Sequence, residues 1–146
     1  MSRTVINFII FVVCLSCSSK QKTLTLALGS PINNLEKSNS WILIPNNDLV
    51  ESHNIMVDGI NFTIGVRDGI IVYICTSDGK FTINNYQIGT PIPEDLFDRE
   101  LGYTPGWGYY LEIGSGWYAC FDFTKKPTER SPIQFFFKYD FTFETK

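Results

Sequence analysis

Beyond residue 40, apolar and polar residues alternate with a period of two through several short runs, the pattern of strands with one buried face. Phe62, Ile64 and Val66 fall on one side of their segment, with Asn61, Thr63 and Arg67 on the other. Ile70 to Cys75 is apolar on both sides and reads as a central strand. Asp58-Gly59 and Asp68-Gly69 flank this region. Both residue types accept the positive φ of a two-residue hairpin turn, so 61–67 is expected to pair with 70–76. Asp78-Gly79 marks the next turn, and Trp41 to Ile44 is expected to open the series as a first strand.

The second half repeats the pattern. Tyr109 to Ile113, Gly114-Ser115-Gly116 and Trp117 to Phe123 form a hairpin signature, with Trp117, Ala119, Phe121 and Phe123 on one face. Ile133, Phe135, Phe137, Tyr139 and Phe141 alternate with Gln134, Lys138 and Asp140 in a last strand. Phe136 interrupts its polar side, which predicts cover on both faces. One helix is expected between the halves. Thr90 would cap it, Pro91 suits its first position, and Glu94 and Asp95 lie near its positive dipole end. Ile92, Leu96, Phe97 and Leu101 would form its buried stripe, and Gly102 would end it. The predicted fold class is mainly β (α+β), an antiparallel β meander with one short helix.

The first forty residues differ. Arg3 precedes an apolar run of eleven residues, Val5 to Leu15, and Ser16-Cys17-Ser18-Ser19-Lys20 follows. At about 1.5 Å per residue such a run covers roughly half of a ~30 Å hydrocarbon core, so it reads as an export signal and not as a permanent span. Leu15-Ser16-Cys17 followed by Ser18-Ser19 resembles the lipobox of bacterial lipoproteins, in the loose form of Bacteroidetes-like bacteria. Cys14 stands where a strict lipobox has leucine. The resemblance implies a signal peptide over 1–16, lipidation of Cys17 with acylation of the new amino terminus, and a tether over 17–40 ahead of a single β-rich domain over 41–146. In family terms, Ser18 after the lipidated cysteine implies the outer membrane, and the missing acidic tag implies its periplasmic face. Secretion or display on the cell surface is the alternative. A redox or metal role for Cys14-x-x-Cys17 lacks the folded context it needs.

Removal of 1–16 leaves 130 of the 146 residues and takes away only Arg3, so 12 basic and 15 acidic residues become 11 and 15. That balance gives no footprint for nucleic acid, because Lys125, Lys126 and Arg130 sit in a Pro-containing loop. Two cysteines remain, Cys75 and Cys120. A disulfide between neighbouring strands and two buried free thiols both fit the pattern.

Candidate chemistry is sparse. His53 is the only histidine, so a Ser-His-acid arrangement would rest on it together with Glu51 and Ser52. Glu94, Asp95, Asp98 and Glu100 read as a solvated helix face, and Asn46-Asn47-Asp48 as an ordinary turn lacking the spacing of a calcium loop. No catalytic residue, metal ligand or cofactor is assigned. The unusual local feature is aromatic: Tyr103, Trp107, Tyr110, Trp117 and Tyr118 lie within sixteen residues among glycines, a candidate surface for an envelope protein or glycan. Alternation places Tyr109 and Tyr110, and likewise Trp117 and Tyr118, on opposite faces, with one ring of each pair inside. Asp68 to Ile74, Tyr86 to Gly89, Pro105 to Tyr110 and Ser115 to Ala119 are similar to segments of small uncharacterised lipoproteins. Ser115-Gly116-Trp117-Tyr118 resembles the Ser-Gly-x-x-Tyr motif of lysozyme-inhibiting lipoproteins, with tyrosine one residue early. The expected function is a membrane-anchored, non-enzymatic binding or envelope-scaffold module. The alternative is an inhibitor or immunity protein against a cell-wall-active enzyme, acting through Gly102 to Tyr118.

Overall fold

Two-residue turns organise the first half of the domain. Asp58-Gly59 (φ 51° and 77°) and Asp68-Gly69 (φ 51° and 75°) both adopt the left-handed pair that matches strand twist. They join β2 (Leu49–Val57) to β3 (Ile60–Arg67) and β3 to β4 (Ile70–Thr76), with β1 (Trp41–Leu43) ahead of them. The structure, a computed structural model, describes residues 26–32, 37–92, 96, 99–122 and 124–144. Further along come the small hairpin β5 (Thr82–Ile83) and β6 (Tyr86–Gln87), then β7 (Gly102–Thr104), β8 (Gly108–Gly114), β9 (Trp117–Cys120) and β10 (Phe135–Tyr139). A 3-10 turn, Phe141–Glu144, follows.

Eight strands form one antiparallel sheet in the order β1-β2-β3-β4-β10-β9-β8-β7. The predicted mainly antiparallel β class is therefore what the chain adopts. The departure from a simple meander lies in β10, which returns to pair with β4 on one side and β9 on the other. Phe136 and Phe137, consecutive residues on opposite faces, are both fully buried there. The expected cover on both sides of the last strand is present.

One bulge resets the alternation. Gly65 pairs with Tyr73 and Val66 with Ile71, so Val72 is an extra residue on β4. Ile71 and Ile74 consequently share the convex face with Phe62, Ile64 and Val66, whereas Tyr73 joins the concave face. Of the described residues between β4 and β7, Phe81, Ile83, Tyr86, Ile88, Ile92 and Leu96 pack over the convex face. Phe81 lies 5.5 Å from Phe62, 4.9 Å from Trp117 and 5.7 Å from Phe136 between ring centroids. It thus joins the two apolar clusters of that face into one layer.

Residues ahead of β1 also dock. β10 stops opposite Tyr73, and residues 29–32 take the vacated edge of β4: Gly29 N–H donates to the Ile71 carbonyl (2.9 Å), Ile71 N–H to that of Ser30 (3.0 Å) and Ile32 N–H to that of Gly69 (2.8 Å). Leu26, Leu28 and Ile32 pack on the convex cluster. Leu28 and Gly29 form a turn that leads into this contact.

The expected helix over 90–102 is narrower than its signals suggested. Pro91 forms a bridge with Pro132, the Thr90 hydroxyl donates to the Gln87 carbonyl at 2.7 Å, and Gly102 opens β7. Ile92 and Leu96 are buried as predicted, and Leu96 is helical. Glu94, Asp95, Phe97 and Asp98 lie outside the described residues, as do Cys14, Cys17 and Phe123.

Candidate functional site

The sheet curls until its two edges approach. Trp107, in the turn between β7 and β8, donates its indole N–H to the Leu43 carbonyl of β1 at 3.2 Å. A cluster fills one end of the concave face. Trp107 meets Phe137 at 4.5 Å and Tyr73 at 6.3 Å between centroids, both edge-on, and Phe137 stacks on Tyr118 at 5.0 Å. These geometries favour contact between ring edges and faces. Gly65 makes room for the arrangement, since a Cβ there would stand 2.7 Å from Val50 Cγ2 and 3.1 Å from Tyr73 Cβ.

Toward the other end the concave face stays open as a cleft of about 1130 Å³. Its apolar lining includes Ile42, Leu43, Trp107 and Phe135, and its polar lining includes Asn61, Thr76, Ser77 and Gln134 together with Asn54, Thr63 and Cys75, the last three in one row across β2, β3 and β4. Thr63 donates its hydroxyl to Asn54 Oδ1 at 2.8 Å. Burial pushes the Cys75 thiol up, against the opposing pull of hydrogen bonding with Tyr73 and Thr63. A protonated thiol is a poor nucleophile, so this wall serves contact better than covalent chemistry.

Asp78 and Asp122 stand on the rim, and among the described residues no Lys, Arg or His lines the cleft. Asp78 accepts from the Asn61 N–H (3.0 Å), the Asn61 amide (3.2 Å) and the Lys80 N–H (3.0 Å), and backbone donation holds its carboxyl below the usual range. Asp122 is held low in the same way by the hydroxyl and N–H of Thr124, at 2.7 and 2.8 Å. Both carboxylates are therefore ionised at neutral pH. A partner at this rim meets negative charge and neutral acceptors.

The structure divides the sequence-predicted aromatic surface. Trp107 is buried, and Tyr110 and Tyr118 are half-buried beside Phe137 on the concave face, 5.7 Å apart. Trp117 packs on the convex face against Phe81, and Tyr103 at the β7 edge is exposed. All four rings of the two pairs are half-buried. Tyr110 packs on the concave cluster while Tyr109 lies against Tyr103, but Trp117 and Tyr118 both pack on core clusters, so the expected inside-outside division fails for the second pair because both faces of the sheet are covered there. The five do not make one surface, because strand alternation sends Trp117 and Tyr118 to opposite sides of the sheet.

Cys75 and Cys120 are free. β10 lies between their strands, with Cys75 opposite Phe137 and Cys120 opposite Phe135. Two strand spacings and a two-residue offset along β10 put them about 12 Å apart, beyond the roughly 4.4 to 6.8 Å of a disulfide. Of the two readings left open by the sequence, two free thiols is the one that holds. Cys120 donates to the Tyr109 carbonyl at 3.3 Å, and burial pushes its thiol up to about 12.

His53 lies in the middle of β2, with Nε2 3.1 Å from Glu51 Oε1. Ser52 and His53 are consecutive strand residues and point to opposite faces, so this serine is out of reach of that histidine. Asp48 pairs with Arg67 at 2.7 Å and with the Asn46 amide at 2.8 Å, which makes the Asn46-Asn47-Asp48 turn a self-contained structural unit. Among the described residues no three His, Cys, Asp or Glu side chains gather in a metal-binding group.

Asn54 and Thr63 were missed as site residues. The signal was present: Asn61, Thr63 and Gly65 form a polar or small face of a strand whose other face is wholly apolar. That face reads as solvent-facing until the sheet is known to curl around it.

No protein-family model and no curated protein matches the chain. Among solved structures, the uncharacterized protein yfeY from Escherichia coli is similar over 62% of this chain and 81% of its own, with a TM-score of 0.40 and 14% identity. Among the described residues no helix is long and apolar enough to cross a membrane.

Proposed function

We propose that this chain is a binding module, not a catalyst, held at a membrane by lipid on Cys17, and that its partner sits in the concave cleft. The cleft carries this reading: an open space of about 1130 Å³ that combines an aromatic and aliphatic wall with fixed polar groups is the usual form of a binding site. An apolar wall supplies affinity, and the Asn54–Thr63 pair and the rim carboxylates orient what enters. An acylated Cys17 would keep the domain at the periplasmic face of an outer membrane, within reach of envelope proteins and glycans.

Two measurements test the two halves of the proposal. The full chain in detergent should enhance the fluorescence of N-phenyl-1-naphthylamine, a neutral apolar probe, and Thr63→Phe should weaken that binding at least tenfold by filling the cleft. A urea melt unchanged between the two proteins controls for folding, and probe binding indifferent to the substitution would refute the site. For the anchor, a fatty-acid analogue should label the wild-type chain in an expressing bacterium. Undiminished labelling of Cys17→Ala would refute it.

A further inference from the structure

β1 covers only part of β2. Trp41, Ile42 and Leu43 pair with Glu51, Val50 and Leu49, and Ser52 N–H donates to the Ser40 carbonyl at 2.9 Å. β2 then continues to Val57. Backbone groups alternate sides along a strand, so if those of Ser52 face β1, those of Asn54 and Met56 face the same edge. No described strand pairs with them there. Asn54 is exposed, and Met56 is 68% exposed.

Folded proteins blunt such edges with charged side chains, prolines or bulges. From Ser52 to Val57 the sequence is Ser-His-Asn-Ile-Met-Val, with no Lys, Glu, Asp or Pro, and the pairing with β3 runs without a bulge. This edge is left in a form that accepts another strand. It also borders the cleft, because Asn54 is part of the cleft lining. A strand added beside β2 would lay alternate side chains over the apolar wall, with the others on the convex side.

Charge selects the occupant. Asp78 and Asp122 are the charged residues of the lining, and the lysines that act on them electrostatically, Lys80 and Lys125, stand outside it. We propose that the partner is an extended peptide segment of another protein, with basic and apolar residues on one face, which adds as a strand to the free edge of β2 and sets that face over the cleft. The proposal rests on reading the cleft as the binding site. It uses backbone hydrogen bonds for affinity and the cleft for specificity, the division seen wherever a peptide extends a sheet.

The experiment uses the full chain in detergent, N-phenyl-1-naphthylamine as cleft reporter, and two peptides, acetyl-Val-Lys-Val-Phe-Val-Lys-amide and its counterpart with Glu for Lys. The Lys peptide should displace the reporter and slow hydrogen exchange at the Asn54 and Met56 amides at least tenfold. The Glu peptide should be at least tenfold weaker at low salt. Met56→Pro removes an N–H that no described strand uses, and Met56→Lys adds a repelling charge with the backbone intact. Each should weaken the Lys peptide at least tenfold and leave reporter binding unchanged. Displacement without protection of Asn54 and Met56 would overturn strand addition, as would equal affinity for both peptides. Concentration-dependent protection of the same amides without peptide would assign the edge to a second copy of the chain and also overturn the proposal. Reporter binding with no peptide binding defeats this inference alone, whereas absence of both defeats the cleft as well.

Discussion

The thiol of Cys120 makes stability depend on alkaline pH by an amount that can be worked out. It is fully buried beneath the concave cluster, and burial pushes it from an ordinary value of 9.0 to about 12. Between those values the unfolded chain has released the proton and the folded chain has kept it. The unfolded state then binds fewer protons, so stability is intact below pH 9 and falls as pH rises toward 12. At pH 10 the unfolded thiol is about nine-tenths ionised and the folded one about one-hundredth, a loss of about 1.4 kcal/mol. Cys75 and Tyr73 are raised by burial too and add to the total fall, so the comparison must be between the wild type and Cys120→Ala. Replacing the thiol by hydrogen in a tight core costs about 1 kcal/mol at pH 7. The wild type should therefore be the more stable protein at pH 7 and the less stable one at pH 10. Urea melts under reducing conditions at pH 7.0, 8.5 and 10.0 measure this. A stability difference independent of pH would refute the account of the buried thiol.

Other consequences are simpler. Gly65→Ala should destabilise by about 1 to 2 kcal/mol, since crowding of Val50 and Tyr73 outweighs the smaller backbone entropy lost by alanine, and adding Val50→Ala should recover part of the loss in urea melts. Gly102→Ala should loosen β7, because a Cβ there would fall on the Tyr110 ring, and hydrogen exchange over Gly102–Thr104 should accelerate with little change at β4. Trp107→Phe keeps the aromatic packing but leaves the Leu43 carbonyl without its donor. It should cost about 1 kcal/mol and speed exchange at β1. With two free thiols, dithiothreitol should leave the melting temperature unchanged, and a thiol reagent should modify Cys75 in the native protein but Cys120 only on unfolding.

What the sequence made legible was local. The hairpin around Asp68-Gly69 was placed to within a residue, because only a few residue types tolerate positive φ at both turn positions and the flanking alternation is uninterrupted. β2 was invisible for the opposite reason. Glu51, Ser52, His53 and Asn54 break any apolar stripe, since one face of this strand borders an open cleft and its edge is half bare. Val72 hid the register of β4 by inserting one residue into the pattern. Nor does any short-range signal announce that β10 returns between β4 and β9, because its partners are 60 or more residues away on one side and a loop away on the other. The two consecutive buried phenylalanines said only that both faces would be covered.

The candidate site shows the same limit in its chemistry. Trp107 was singled out by residue type, yet its structural role depends on a carbonyl 64 positions earlier in the chain. Holding Leu43 draws β1 toward the β7–β8 turn and curls the sheet, and the curl converts the polar face of β3 from solvent side to cleft floor. The same short β1 that Trp107 secures leaves Asn54 and Met56 without a described strand beside them. Cleft and free edge thus have one origin, an edge strand of three residues beside a neighbour of nine. Lengthening β1 toward residue 38 in the pairing sense would close both together. A variant in which residues 37–40 carry the alternation Val-Thr-Val-Thr in place of Lys-Ser-Asn-Ser should protect the Asn54 amide and reduce N-phenyl-1-naphthylamine binding in parallel. Protection of that edge with undiminished probe binding would show that cleft and edge are independent features.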